Sequence, residues 1–120
     1  MYIEIYSINR NIIPYLDKDI PTNNYTYEVF ILNIDKKREG YIIITEKNKK
    51  YVLEHFFIND TYRNRGFGKL LLQRCLESYK KIELMVSVNN TIAIHIYIKC
   101  GFNISRTIKN YKVMTYSSAE

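Results

Sequence analysis

The sequence has no tryptophan and, among 120 residues, only four glycines, two prolines, two cysteines and two histidines. Cys75 and Cys100 form no CxxC pair and stand beside no paired histidines. Neither a disulfide framework nor a metal site is therefore expected, and both are read as buried free thiols. Long apolar runs are missing too, since nothing approaches eighteen consecutive apolar residues, so no membrane partner is expected. The opening Met-Tyr-Ile-Glu-Ile-Tyr carries an early acid and no basic segment ahead of an apolar stretch, unlike a secretory leader. The expected setting is the cytoplasm, with the nucleus also open. Repeats, linkers and low-complexity segments are absent as well. The missing tryptophan, beside abundant Lys, Asn, Ile and Tyr, fits an AT-rich coding sequence, which accounts for part of the positive charge without any function.

What remains is the composition of a folding chain: 47% hydrophobic, 14% aromatic and 25% charged. One domain spanning 1–120 is expected, because this length builds one core and not two. The formal charge of +6 suits a polyanionic ligand or a plain basic surface. The lysines are scattered, mostly through expected turns, and no groove-reading motif or aromatic platform stands out. Nucleic acid is therefore not an expected partner.

Tyr2 to Ile8 reads as a first strand, rich in Ile and Tyr. Asn11-Ile-Ile-Pro14 opens at most a short helix to Leu16, and Pro21 to Asn24 is a turn cluster, so no long helix fits near the front. Tyr27–Ile34, Gly40–Thr45 and Tyr51–Ile58 are strand-like runs. The charged stretches Asp35 to Glu39 and Glu46 to Lys50 are the expected turns of an antiparallel meander. Phe67, Leu70, Leu71, Cys75, Leu76 and Tyr79 recur at helical spacing. Ile82 to Val88 then predicts a strand parallel to Tyr51–Ile58, reached by a crossover. Thr91 to Lys99 is a second helix stopped by Gly101; Ile104–Ile108 and Tyr111–Tyr116 form a hairpin, followed by a tail over Ser117 to Glu120.

Two of the four glycines fall together in Arg63-Asn64-Arg65-Gly66-Phe67-Gly68, between the third meander run and the first long helix. Strand, glycine-spaced basic loop and helix N-terminus form the layout of a phosphate cradle. The glycines allow a tight turn with exposed amides, and Arg63, Arg65 and Lys69 bring positive charge. A plain glycine turn before a helix reads much the same.

The element order, with these residues at its junctions, resembles the GCN5-related N-acetyltransferase (GNAT) superfamily. Arg63-x-x-Gly66-x-Gly68 is similar to its acyl-CoA pyrophosphate loop, Asn90-x-x-Ala93-Ile94-x-Ile96-Tyr97 to its Asn-x-x-Ala-x-x-x-Tyr helix, and Tyr97-x-x-x-Gly101-Phe102 to the exit from that helix. Leu53 to Ile58 with Tyr62-Arg63 is most similar to the diamine (spermidine/spermine) acetyltransferase branch. The resemblance implies an α/β fold: a mixed, mostly antiparallel twisted sheet of about seven strands with a central parallel pair, flanked by helices. The helical region between the first two strands, which forms much of the acceptor wall in the family, is shortened here.

It also implies direct acetyl transfer from acetyl-CoA to a primary amine, either polyamine-like or on a peptide or protein. Phe56, Phe57 and Ile58 would offer main-chain groups to the pantetheine arm. Arg63, Asn64, Arg65, Gly66, Phe67, Gly68 and Lys69 would hold the pyrophosphate, with Asn90 and Lys99 as further cofactor contacts. Glu54 is the candidate base, placed by alternation on the same face as Phe56 and Ile58; a sheet ion pair or surface carboxylate is its bland reading. His55 then faces the other way and is structural, unless a bulge changes the alternation. Tyr97 is the candidate acid toward the departing thiolate; without the motif it would be core packing. The competing class is a GNAT-fold module that binds acyl-CoA or another protein with weak catalysis or none. A homodimer is compatible with the free edge of the C-terminal hairpin.

Overall fold

A computed structural model describes residues 1–118. Seven strands form one sheet in the order β1-β2-β3-β4-β5-β7-β6. They are β1 (Ile3–Asn9), β2 (Thr26–Ile34), β3 (Lys37–Lys47), β4 (Lys50–Ile58), β5 (Lys81–Ser87), β6 (Phe102–Ile108) and β7 (Tyr111–Ser117). Helix α1 (Phe67–Leu76) joins β4 to β5, and α2 (Thr91–Lys99) joins β5 to β6. All neighbouring strands run antiparallel except β4 and β5. This is the expected mixed sheet with a central parallel pair. Residues 119 and 120 of the expected tail lie outside the described residues, and Ser117 ends β7.

The charged stretches of the meander are mostly strand. Both turns shrink to two residues, Asp35-Lys36 with φ of 50° and 70° and Asn48-Lys49 with φ of 52° and 64°. Positive φ at both central positions is what a twist-matched two-residue hairpin requires. Lys37 consequently registers with Ile34, and Lys47 with Lys50. The first helix is shorter than its apolar stripe, since Tyr79 sits in the turn after Leu76, buried and donating its hydroxyl to Glu28.

Apolar side chains fill both faces of the sheet. On one face Phe67, Leu71, Leu72 and Cys75 of α1 and Tyr97 of α2 pack onto Phe30, Ile42, Ile44, Leu53, Leu84 and Met114. The other face holds a smaller cluster of Val29, Ile31 and Ile43 under Ile13 and Ile20. Only a 3₁₀ turn at Ile13–Tyr15 stands between β1 and β2, so the front is as short as its prolines and turn residues imply. Arg38 pins that segment, donating to Asp17 at 2.8 Å and also to Asp19. Cys75 is buried and Cys100 half-buried, both as free thiols. Among the described residues no helix is long and apolar enough to cross a membrane, and no three His, Cys, Asp or Glu side chains group as metal ligands.

Candidate active site

The parallel pair at the centre of the sheet is barely a pair. β4 and β5 register only at Val52 and Glu83, so beyond that rung the strands part and the outer side of β4 is left open. The Asn59 amide donates to the Glu39 carbonyl at 2.7 Å. Antiparallel alternation counted back from that bond turns the main chain of Phe57 toward β3 and those of Phe56 and Ile58 toward the gap. Phe57 is thus corrected as a main-chain contact: its amide and carbonyl belong to the β3 ladder. Its ring instead lies half-exposed beside Tyr41, at 5.3 Å between centroids. The Ile58 carbonyl already accepts from Arg63 Nε at 2.8 Å, which leaves Phe56 as the freest main-chain partner in the gap.

The glycine loop ends where the gap opens. Asn64 and Gly66 take positive φ, 60° and 86°, and Gly66 caps α1 without any side-chain hydrogen bond. The first intrahelical bond runs from the Leu70 amide to the Gly66 carbonyl at 3.1 Å, so the amides of Phe67, Gly68 and Lys69 are the orphan donors of an uncapped helix start. A Cβ on Gly68 would lie 3.4 Å from Phe56 Cζ and 3.7 Å from Ile58 Cγ1, so the helix start packs directly on β4 there and a larger side chain would press on it. Phe67 contributes its amide alone, because its ring is buried edge-on to Tyr62 at 5.7 Å. Arg63 is engaged within its own loop: its guanidinium pairs with Asp60 at 2.5 Å. It braces the loop instead of adding free charge to it. Arg65 lies over the Tyr62 ring at 5.7 Å.

A groove of about 570 Å³ runs from this helix start along α2. Asn64, Gly66 and Lys69 form one wall, and Thr91, Ile92, His95, Ile96 and Lys99 the other. Lys69 and Lys99 therefore face one cavity. Thr91, Ile92, His95 and Ile96 escaped the sequence reading, although Thr91, His95 and Lys99 recur every four residues and share a helix face. Asn90 is absent from the groove lining. Its Oδ1 accepts from the Ala93 amide at 3.2 Å and caps α2.

A β-bulge decides where the two candidate catalytic groups sit. Ile43 registers with His55 and Ile44 with Leu53, leaving Glu54 as the extra residue of β4. Tyr51 and Leu53 before the bulge, and Phe56 and Ile58 after it, all belong to the helix-side core. Glu54 accepts from Thr45 Oγ1 at 3.2 Å, on the face of Ile43, and His55 registers with Ile43 itself. The expectation that Glu54 shares a face with Phe56 and Ile58 is therefore overturned. Glu54 and His55 are exposed together on the face opposite the helices. Tyr97 occupies the helix side, 6.2 Å from Phe56 and 5.4 Å from Phe102 between ring centroids. Burial raises its phenol from 10.0 to about 12, so it stays protonated throughout the neutral range. Carboxylate and phenol thus lie on opposite faces of the sheet, and the unpaired amides stand at the start of α1.

The chain matches the acetyltransferase (GNAT) domain model over residues 25–104. It is 27% identical over 94 residues to an uncharacterized N-acetyltransferase of Methanocaldococcus jannaschii, covering 68% of this chain and 42% of the relative. It is 39% identical over 62 residues to the spermine/spermidine N(1)-acetyltransferase of Bacillus subtilis, covering 47% of this chain and 41% of that protein. The chain thus spans less than half the length of these curated relatives. Among solved structures, the PaiA N-acetyltransferase of Thermoplasma acidophilum in complex with coenzyme A superimposes with a TM-score of 0.75 at 16% identity, over 98% of this chain and 100% of that one. At that identity the likeness concerns the fold. The family model covers well over half of the sequence, and the chain belongs to the GNAT acetyltransferase domain family.

Proposed function

We propose that this chain transfers an acetyl group from acetyl-CoA to a primary amine. The observation that carries the reading is the open outer edge of β4, leading directly to the uncapped, glycine-formed start of α1. The residues fit the cofactor. The Phe56 main chain can hydrogen-bond an extended amide-bearing arm as an added strand would. The amides of Phe67, Gly68 and Lys69, with the helix dipole and the Lys69 and Lys99 charges, suit a pyrophosphate. When bound, acetyl-CoA supplies an activated acyl group on a thiol leaving group.

The protein's part is largely proton handling. An alkylamine with a pKa of about 10.4 is mostly protonated at neutral pH. Glu54 takes that proton, directly or through one water, on the face opposite the helices. Tyr97 holds the proton that the leaving sulfur requires, on the helix face. Base and acid on opposite faces of the sheet let the nucleophile arrive and the leaving group depart without competing for space. The partial match to the Bacillus subtilis enzyme supports a polyamine-like acceptor, and the short front leaves room for a peptide or protein amine as well. A homodimer through the exposed β6 edge belongs to the proposal as well.

That short front also favours a second reading, a domain that binds acyl-CoA without turnover. Two measurements separate the readings: the melting temperature with and without excess acetyl-CoA, and thiol release on adding spermidine, N-terminal peptides or lysine peptides. A melting shift with thiol release supports the enzyme. A shift with no release on any amine supports the binding domain, and no shift removes the cofactor site altogether.

A further inference from the structure

A second cavity, of about 610 Å³, opens at the other end of α1 from the glycine loop. Tyr27, Tyr51 and Tyr79 line it, with ring centroids 4.9 Å, 5.1 Å and 6.5 Å apart. Glu28 joins them, its carboxylate accepting from the Tyr79 hydroxyl. Four lysines reach the same cavity from two chain segments, Lys49 and Lys50 from the turn into β4 and Lys80 and Lys81 from the turn into β5. None of the four is in an ion pair among the described residues. Glu28 and Glu83 line the same cavity, so the four lysines outnumber the carboxylates and leave a net positive charge that an anion would offset.

We propose that this cavity binds a nucleoside phosphate, separately from the acyl-CoA groove. The half-buried Tyr27 and Tyr51 rings suit a planar base, which stacks on aromatic side chains. The Glu28 carboxylate, and Glu83 across the cavity, accept from the N–H groups such bases carry. The lysines take the phosphates as flexible point charges. The opposed charges select against the alternatives: two carboxylates disfavour a bare polyphosphate, and four lysines disfavour an organic cation. This assignment does not depend on the acetyltransferase reading, because cavity and groove lie at opposite ends of α1.

The test is calorimetric titration of ATP and of GTP into protein held in excess acetyl-CoA, so that neither nucleotide is measured in the groove as a mimic of the nucleotide half of coenzyme A. Saturable binding is expected, weakened at least tenfold in the Lys50→Glu, Lys81→Glu double variant and in Tyr51→Leu, which keeps apolar bulk in the core. Acetyl-CoA affinity should be unchanged in both. No saturable heat, binding indifferent to these substitutions, or inorganic tripolyphosphate binding as tightly as ATP would each overturn the proposal.

Discussion

Thr45 and Glu54 are joined across β3 and β4 by a 3.2 Å hydrogen bond from Oγ1 to Oε1. Thr45 is almost wholly buried, at 1% exposure, so its hydroxyl is a fixed donor that holds an otherwise exposed carboxylate. The bulge turns Glu54 to that face, and the bond orients it there.

Glu54→Gln keeps the shape and removes the base. With Glu54 taking the amine proton, kcat should fall by about 10²- to 10⁴-fold at neutral pH, while the acetyl-CoA-dependent melting shift persists. Thr45→Val should cost less, a few-fold in kcat, since it frees the carboxylate without deleting it. Steady-state kinetics on both variants checks the ordering; an unimpaired Glu54→Gln enzyme would move the base elsewhere, with His55 beside it as the next candidate.

Tyr97 makes a prediction in rate and another in stability. Tyr97→Phe keeps the ring contacts to Phe56 and Phe102 and removes the proton, so kcat should drop by about 10²- to 10⁴-fold with little change in acetyl-CoA affinity. Burial raises the folded phenol to about 12, against about 10 in an unfolded chain. Below pH 10 both states are neutral and the stabilising contribution is fully present. As pH rises from 10 to about 12 the unfolded chain ionises first, and up to about 3 kcal/mol is lost. Melting temperatures across that window should therefore fall less steeply for Tyr97→Phe than for the parent.

Gly66 and Gly68 should fail differently. At Gly66 a Cβ meets nothing within 4 Å, but φ is 86°, so conformation alone restricts the position. Gly66→Asn, which tolerates positive φ, should retain much of the acetyl-CoA binding that Gly66→Val loses. At Gly68 the constraint is Phe56 at 3.4 Å. Any branched side chain there pushes α1 off β4, so Gly68→Val should abolish binding. Calorimetry on the three variants checks this.

Much of this was legible because it is local. The glycine loop, the α2 helix with Tyr97 and the short front each follow from residues adjacent in sequence. Departures arose where distant residues decide. The bulge at Glu54 depends on how β4 registers with β3, so simple alternation assigned its face wrongly. Arg63 carries the charge of a phosphate ligand, yet the 3₁₀ turn at Asp60–Tyr62 brings a carboxylate to it first. The charged hairpins looked like long turns because lysine is an unusual occupant of a two-residue turn, and only the strand pairing imposes that conformation.

The partners of Arg63 set a brace against a phosphate ligand. If the guanidinium served a phosphate, Arg63→Gln would weaken acetyl-CoA binding with a strong dependence on ionic strength, as Lys69→Gln or Lys99→Gln should. Its bonds run instead to the Ile58 carbonyl and to Asp60, both within the loop's own frame. Arg63→Gln should therefore lower the melting temperature of the unliganded protein. Exposed ion pairs are worth only about 0–1 kcal/mol, so the effect should come mainly from the lost bond to the half-enclosed Ile58 carbonyl, on the order of 1–3 kcal/mol. The acetyl-CoA affinity of the folded variant should show the same salt dependence as the parent. Binding measured at two ionic strengths for the three variants separates brace from ligand, because only removal of a phosphate-facing charge flattens the salt response.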